Sequence, residues 1–217
     1  MLKLDFPSSN QPLRVLCLGA HSDDIEIGCA GTLLTWLARE QPLHVTWAVL
    51  SAHGERAVEA RRSARALLRN AAALNIVTGE FTDGHLPAEY AGAKRFFEQL
   101  RVEGGDPDIV LTHRLEDRHQ DHRTIAELTW QTFRNQLVLE YEIPKYEGDL
   151  GQPNTYVPLD ARIARRKVTH LMKHFGTQRS RAWFTTQTFE SLMYIRGIEC
   201  RAPSGFAEAF HARKLIL

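Results

Sequence analysis

One run constrains the fold of this chain more than any other. Val15-Leu16-Cys17-Leu18-Gly19-Ala20 is apolar throughout and stops at His21-Ser22-Asp23-Asp24. A short run without polar alternation is a strand covered on both faces, as in parallel sheets flanked by helices. Gly28-Cys29-Ala30-Gly31 then leads into an amphipathic segment with Leu33, Leu34 and Leu37 at helical spacing.

The alternation continues along the chain. The pattern predicts strands over residues 13–20, 43–50, 75–81, 108–112 and 137–143. It predicts helices over 28–39, 55–73, 89–103, 123–133 and 160–175, the last capped by Asp160. Residues 1–12 read as an irregular lead-in and 144–158 as a long loop, while 177–217 carry no pattern that places elements. No repeat, low-complexity tract or linker divides the chain. The expectation is therefore one α/β domain over residues 1–217, a Rossmann-like three-layer sandwich with a mostly parallel central sheet.

A formal net charge of +1 gives no global field that would point to nucleic acid or a membrane surface. No apolar run approaches the roughly 20 residues of a membrane span. The N-terminus lacks the apolar core of a signal peptide. Cys17, Cys29 and Cys200 are too scattered for a disulfide framework. These features predict a cytoplasmic protein with no nucleic-acid partner and no stable membrane insertion, and leave a homo-oligomer open.

Polar groups crowded at the end of a buried strand are costly unless they hold something, and open α/β sheets bind ligands at strand ends. His21 and Asp24 are three apart after the first strand, with Asp23 between them. His119-Gln120-Asp121-His122 follows the strand at 108–112 and again sets two imidazoles three apart. Strand ends of one parallel sheet lie on one side, so the two clusters can meet. Two ligands from the first and one from the second would leave one position open, as in catalytic zinc sites. The residues alone also allow helix capping by Asp23 and Asp24, and solvated loop positions for His119 and His122.

Ala20-His-Ser-Asp-Asp-Ile-Glu-Ile-Gly28 resembles the Ala-His-Pro-Asp-Asp signature of the PIG-L/LmbE-like zinc-dependent N-deacetylases. His119-Gln-Asp-His122 resembles that family's His-x-Asp-His. Gly54-Glu55-Arg56 with Glu59, Asp83, Pro153-Asn-Thr-Tyr-Val157, Gln178 and Phe206-Ala-Glu-Ala-Phe210 are similar to further family landmarks. Ser22 departs from the family's Pro, and Ala30 stands where a glycine is frequent. The resemblance implies that His21, Asp24 and His122 hold Zn²⁺, with Fe²⁺, Mn²⁺ or Co²⁺ as alternatives. It implies that Asp23 is the general base and that a protonated His119, oriented by Asp121, stabilises the oxyanion. Arg56 and Asp83 would bind substrate. The implied reaction is removal of acetyl from an N-acetylated amino sugar or sugar conjugate, a metal-activated water attacking the amide.

Other chemistries stay open at this point: a metal-dependent ester or phosphoester hydrolase, a catalytically silent metal-binding relative, or a nucleotide-binding module. Against the last, Gly19, Gly28 and Gly31 do not form Gly-x-Gly-x-x-Gly, and Asp23 and Asp24 would repel a pyrophosphate. Asp117 is a candidate partner for a ligand histidine. His53 and His85 fall in loops near strand ends, while His44, His170, His174 and His211 read as structural or exposed. Arg162, Arg165, Arg166, Lys167 and Lys173 give the helix at 160–175 a basic face. It is either solvated or a contact for a phosphate on the substrate.

Overall fold

The computed structural model describes residues 11–39 and 41–216. The lead-in expected over 1–12 lies outside them except for Gln11 and Pro12. The first strand, β1 (Leu13–Gly19), sits inside the sheet, parallel to β2 (Leu43–Val49) on one side and β4 (Ile109–Thr112) on the other. Its alternate residues enter two different core clusters: Leu13, Val15 and Cys17 one, Leu16 and Leu18 the other. Burial on both faces is why the run needs no polar alternation. β3 (Ala73–Thr78) adds in parallel to β2, and β5 (Leu137–Tyr141) adds in parallel to β4. β7 (Ala207–Ala212) runs antiparallel to both β5 and β6 (Thr155–Pro158), giving the order β3-β2-β1-β4-β5-β7-β6.

Helices cover both faces. α1 (Asp24–Leu37), α2 (Gly54–Leu67), α5 (Ala161–His174) and α6 (Thr186–Cys200) contribute to one cluster, with Trp36, Leu67, Leu171 and Met193 among its members. α3 (Tyr90–Gly104) and α4 (Gln120–Thr132) contribute Phe97, Leu100 and Leu128 to the other. This is the three-layer α/β architecture expected from the alternation. No helix among the described residues is long and apolar enough to cross a membrane.

Several boundaries differ from expectation for physical reasons. α1 starts at Asp24, not residue 28, because its glycines are contact points inside the helix and not its start. A Cβ on Gly28 would stand 2.3 Å from the ring of Tyr141, and one on Gly31 would stand 2.6 Å from Leu159 Cδ1. α2 ends at Leu67, short of residue 73, since Ala73 already pairs with His44 in the sheet and tertiary pairing overrides alanine's helix propensity. α4 starts at Gln120, not residue 123, so Asp121 and His122 lie on its first turn. The loop expected over 144–158 contains β6, a short strand whose residues are mostly half-buried. α6, β7 and a 3₁₀ turn, Gly176–Gln178, fill the stretch the sequence left unplaced.

Asp160 caps α5 as expected, accepting from the Arg162 amide. Lys167, however, leaves the basic face: it is buried, with Nζ 2.6 Å from Glu208 Oε1 and 2.5 Å from the Ile27 carbonyl. Glu208 in turn accepts from the amides of Gly31 (2.8 Å) and Thr32 (2.6 Å). This ion pair on α5 and β7 grips the middle of α1. Arg162, Arg165, Arg166 and Lys173 remain exposed.

Candidate metal centre

In the strand order, β1 and β4 are neighbours from which the chain winds outward in opposite directions, to β2 and β3 on one side and to β5 on the other. The crevice beyond the ends of such strands is where α/β sheets bind ligands. His21 and Asp24 follow β1, and His122 follows β4 on the first turn of α4. His21 Nδ1 is 3.2 Å from Asp24 Oδ2, and His122 Nε2 is 3.3 Å from His21 Nδ1 and 3.5 Å from Asp24 Oδ2. Zinc bonds of about 2.0–2.1 Å at tetrahedral angles set ligand atoms about 3.3 Å apart. The triangle matches that spacing.

The far sides of the two rings match as well. His21 Nε2 lies 3.2 Å from Asp121 Oδ2 and 3.0 Å from Asp83 Oδ1. His122 Nδ1 lies 3.0 Å from Asp117 Oδ2. A carboxylate on one nitrogen fixes the tautomer and turns the other lone pair toward a shared centre, as at histidine-ligated metal sites. Burial pushes the pKa of His122 down to about 3, helped by the neighbouring His113, so its ring is neutral at neutral pH. Burial also opposes charge on His21, but Asp24, Asp121 and Asp83 outweigh it and raise its pKa well above the imidazole range. The site stabilises positive charge at that point. The donor set thus fits a divalent ion held by His21, Asp24 and His122.

Asp23 occupies the N-cap position of α1, yet its carboxylate makes no capping bond. Burial and the Asp24 charge push its pKa up to about 6, with Arg56 and His21 acting against them. A carboxylate with a pKa of about 6, paired with Arg56 only at 3.9 Å, is suited to proton transfer. His119 differs from expectation. Its Nδ1 accepts the Asp121 amide at 3.3 Å, and burial and the charge on His21 lower its pKa. The surroundings favour a neutral ring with its proton on Nε2, not an imidazolium. The Asp121 carboxylate is likewise not spent on orienting the His119 side chain. It binds His21 and accepts from the amides of Gly84 (2.7 Å) and Leu86 (3.0 Å), tying the loop after β3 to the centre.

Arg56, on the first turn of α2, is 2.5 Å from half-exposed Asp83 and 3.9 Å from Asp23. The two residues expected to bind substrate therefore meet at the mouth of the site. Glu59 is buried and ties α2 to Thr177 through its amide and hydroxyl.

Sequence reasoning assigned no role to His113. It follows β4 as His21 follows β1, which is the signal that identifies it in retrospect. Its Nε2 accepts the Ala20 amide at 3.0 Å and stands 3.2 Å from Asp24 Oδ2, and its ring stacks on His122 at 3.9 Å. His113 thus packs against His122 and Asp24, and with those two it forms a further group whose donor atoms are close enough to hold an ion. Asp117 is buried, its pKa kept below the carboxylate range because the bond to His122 and nearby positive charges outweigh burial. Lys145 and Asp149, which also escaped notice, lie behind it.

The family model described as "PIG-L: GlcNAc-PI de-N-acetylase" matches residues 16–133, more than half the chain, and spans both ligand clusters. The chain belongs to this family. Solved structures share the fold at low identity. A conserved protein, TT1542, from Thermus thermophilus is 19% identical, with 94% of this chain and 96% of that one covered at a TM-score of 0.71. The N,N'-diacetylchitobiose deacetylase of Pyrococcus horikoshii is 18% identical, with 93% and 84% covered at 0.70. GalB, the 4-carboxy-2-hydroxymuconate hydratase of Pseudomonas putida KT2440, is 16% identical, with 94% and 98% covered at 0.71. A deacetylase and a hydratase on one backbone mean that the reaction of a PIG-L family chain must be argued from its site.

Proposed function

We propose that this chain is a metal-dependent N-deacetylase that removes acetyl from an N-acetylated sugar or sugar conjugate. Zn²⁺ is the expected ion, and Fe²⁺ is the main alternative for a His₂Asp set. The observation that carries the reading is the His21–Asp24–His122 triangle with a carboxylate behind each imidazole and Asp23 beside it.

A bound divalent ion supplies Lewis-acid polarisation of the acetyl carbonyl and eases deprotonation of water. The remaining steps belong to the protein. Asp23 takes a proton from the attacking water and delivers it to the departing nitrogen. His119 donates from Nε2 to the carbonyl oxygen as negative charge builds there. Asp121, Asp83 and Asp117 keep the ligand rings in register, and Arg56 limits repulsion between Asp23 and Asp83. At the mouth, Arg56 and Asp83 offer a donor and an acceptor for sugar hydroxyls. One amide and one water give one amine and one acetate.

The test is acetate release from free, nucleotide-linked and lipid-linked N-acetyl sugars by metal-defined protein. Release from any of these supports the reading and names the conjugate. Water addition to an unsaturated acid, with no acetate from any sugar, would favour the hydratase chemistry that GalB carries on the same fold. Phosphate release would favour the phosphoester alternative.

A further inference from the structure

Behind His122 lies a group that the chemistry above leaves unused. Lys145 follows β5 and is almost wholly enclosed, its side chain 7% exposed between Asp117 at 5% and Asp149 at 7%. Its Nζ donates to Asp117 at 3.0 Å and to both carboxylate oxygens of Asp149, at 2.7 and 2.8 Å. Asp117 receives His122 Nδ1 at 3.0 Å on one oxygen and the His119 amide at 2.8 Å on the other. Asp149 accepts the Arg118 amide at 2.6 Å, and its carbonyl accepts from Arg114 at 2.9 Å. The Lys145 ammonium thus links Asp117 to Asp149, alongside the Arg118 and Arg114 bonds that hold the segment 145–149 against the loop leading to His119 and His122.

We propose that Lys145 is a positioning residue for the metal ligand His122, acting through Asp117. The inference rests on the metal-centre reading of the proposed function. Asp117 has both oxygens committed to groups that must not move, a ligand ring and the amide of the adjacent cap residue. In that enclosure the rotamer of Asp117 is set by its donors, and the Lys145 ammonium is the one that also reaches Asp149. Without Lys145, the Asp117 and Asp149 carboxylates face each other across the gap its ammonium filled, and Asp117 is free to turn away. That turn releases His122 Nδ1, and loss of such an outer partner costs about 10- to 100-fold in metal affinity. A point-charge role has the opposite sign, because deleting a cation near the centre would tighten a divalent ion.

The experiment is a double-mutant cycle on the full chain: wild type, Lys145→Met, Asp117→Asn and the double variant. Zinc Kd is read by competition with a chromophoric chelator, and thermal unfolding is measured without metal. Lys145→Met is expected to raise the zinc Kd at least 10-fold, with no further rise when Asp117 is already Asn. Lys145→Arg, which keeps the charge, is expected to recover part of the loss. An unchanged or lower Kd in Lys145→Met overturns the inference while leaving the metal centre standing. So does a loss that adds fully to that of Asp117→Asn. A wild type that binds no divalent metal overturns the metal centre itself and this inference with it. If Lys145→Met does not fold, Lys145→Gln takes its place in the cycle with the same outcomes.

Discussion

His122 Nε2 lies 3.3 Å from His21 Nδ1 across 101 residues of sequence. Local geometry does not bring them together. The contact follows from the parallel pairing of β1 with β4, in which Val15, Leu16 and Cys17 face Ile109, Val110 and Leu111. Both loops then leave the same end of the parallel strands, and each delivers an imidazole backed by a carboxylate.

The separation of ligand from base is testable at two positions. His122→Ala should abolish stoichiometric zinc binding, measured by metal analysis after dialysis. Asp23→Asn should retain the metal while acetate release slows about 10²-fold or more, since only the proton acceptor is lost. Full activity in Asp23→Asn would mean that another group takes the proton.

The exposed cations of α5 are either solvated or a contact for a phosphate on the substrate, and kinetics separates the two. The side chains of Arg165 and Arg166 make no hydrogen bond or ion pair among the described residues, unlike that of Lys167 beside them. Replacing both by Glu should raise KM for a phosphate-bearing N-acetyl sugar and leave a neutral one unchanged. An equal effect on both substrates would mark this face as solvated surface.

Gly28→Ala tests the close approach between α1 and β5. The added methyl would meet the buried Tyr141 ring, whose hydroxyl donates to the Leu18 carbonyl at 2.6 Å. Overpacking of this kind costs about 1–3 kcal/mol. Urea unfolding should show a lower midpoint at unchanged slope, and zinc affinity should fall as well, because Asp24 lies one turn away.

Acid should weaken the fold through His170. Burial and the charges of His174, Arg166 and Lys173 push its pKa down to about 4, while the ring donates to or accepts from Ser63 Oγ at 2.7 Å. The unfolded chain takes up this proton near the ordinary imidazole pKa of about 6.5, and the folded one does not until about pH 4. The contribution is therefore complete above about pH 6.5 and drains away as pH falls toward 4. The Tm difference between wild type and His170→Gln should shift against wild type over that window. A difference independent of pH would contradict a neutral folded-state ring.

The layered sheet was legible because its strands are continuous apolar runs and its helices carry period and punctuation. The two polar clusters of the candidate site were legible because both sit at the ends of such runs. What escaped the sequence depends on contacts made late in the chain. Gly28 and Gly31 looked like a helix start because the bodies that need their missing side chains, Tyr141 and Leu159, are more than a hundred residues away. His119 looked charged because Asp121 is its near neighbour in sequence, whereas the fold turns that carboxylate to His21 and the Gly84 and Leu86 amides. Lys145 and Asp149 sit in a stretch with no periodicity; they pair with each other, and only the packing of that stretch against the β4 loop brings Asp117 and the Arg118 amide to them.

The grip of Lys167 and Glu208 on α1 has a consequence for biosynthesis. Glu208 reaches Gly31 from 177 residues downstream. A nascent chain that has already emerged with His21, Asp24, His119 and His122 still lacks the clasp that settles the helix bearing Asp24. On the proposed metal reading, capture of the ion should follow translation of β7, and ribosome-stalled chains cut before residue 207 should leave zinc in the medium.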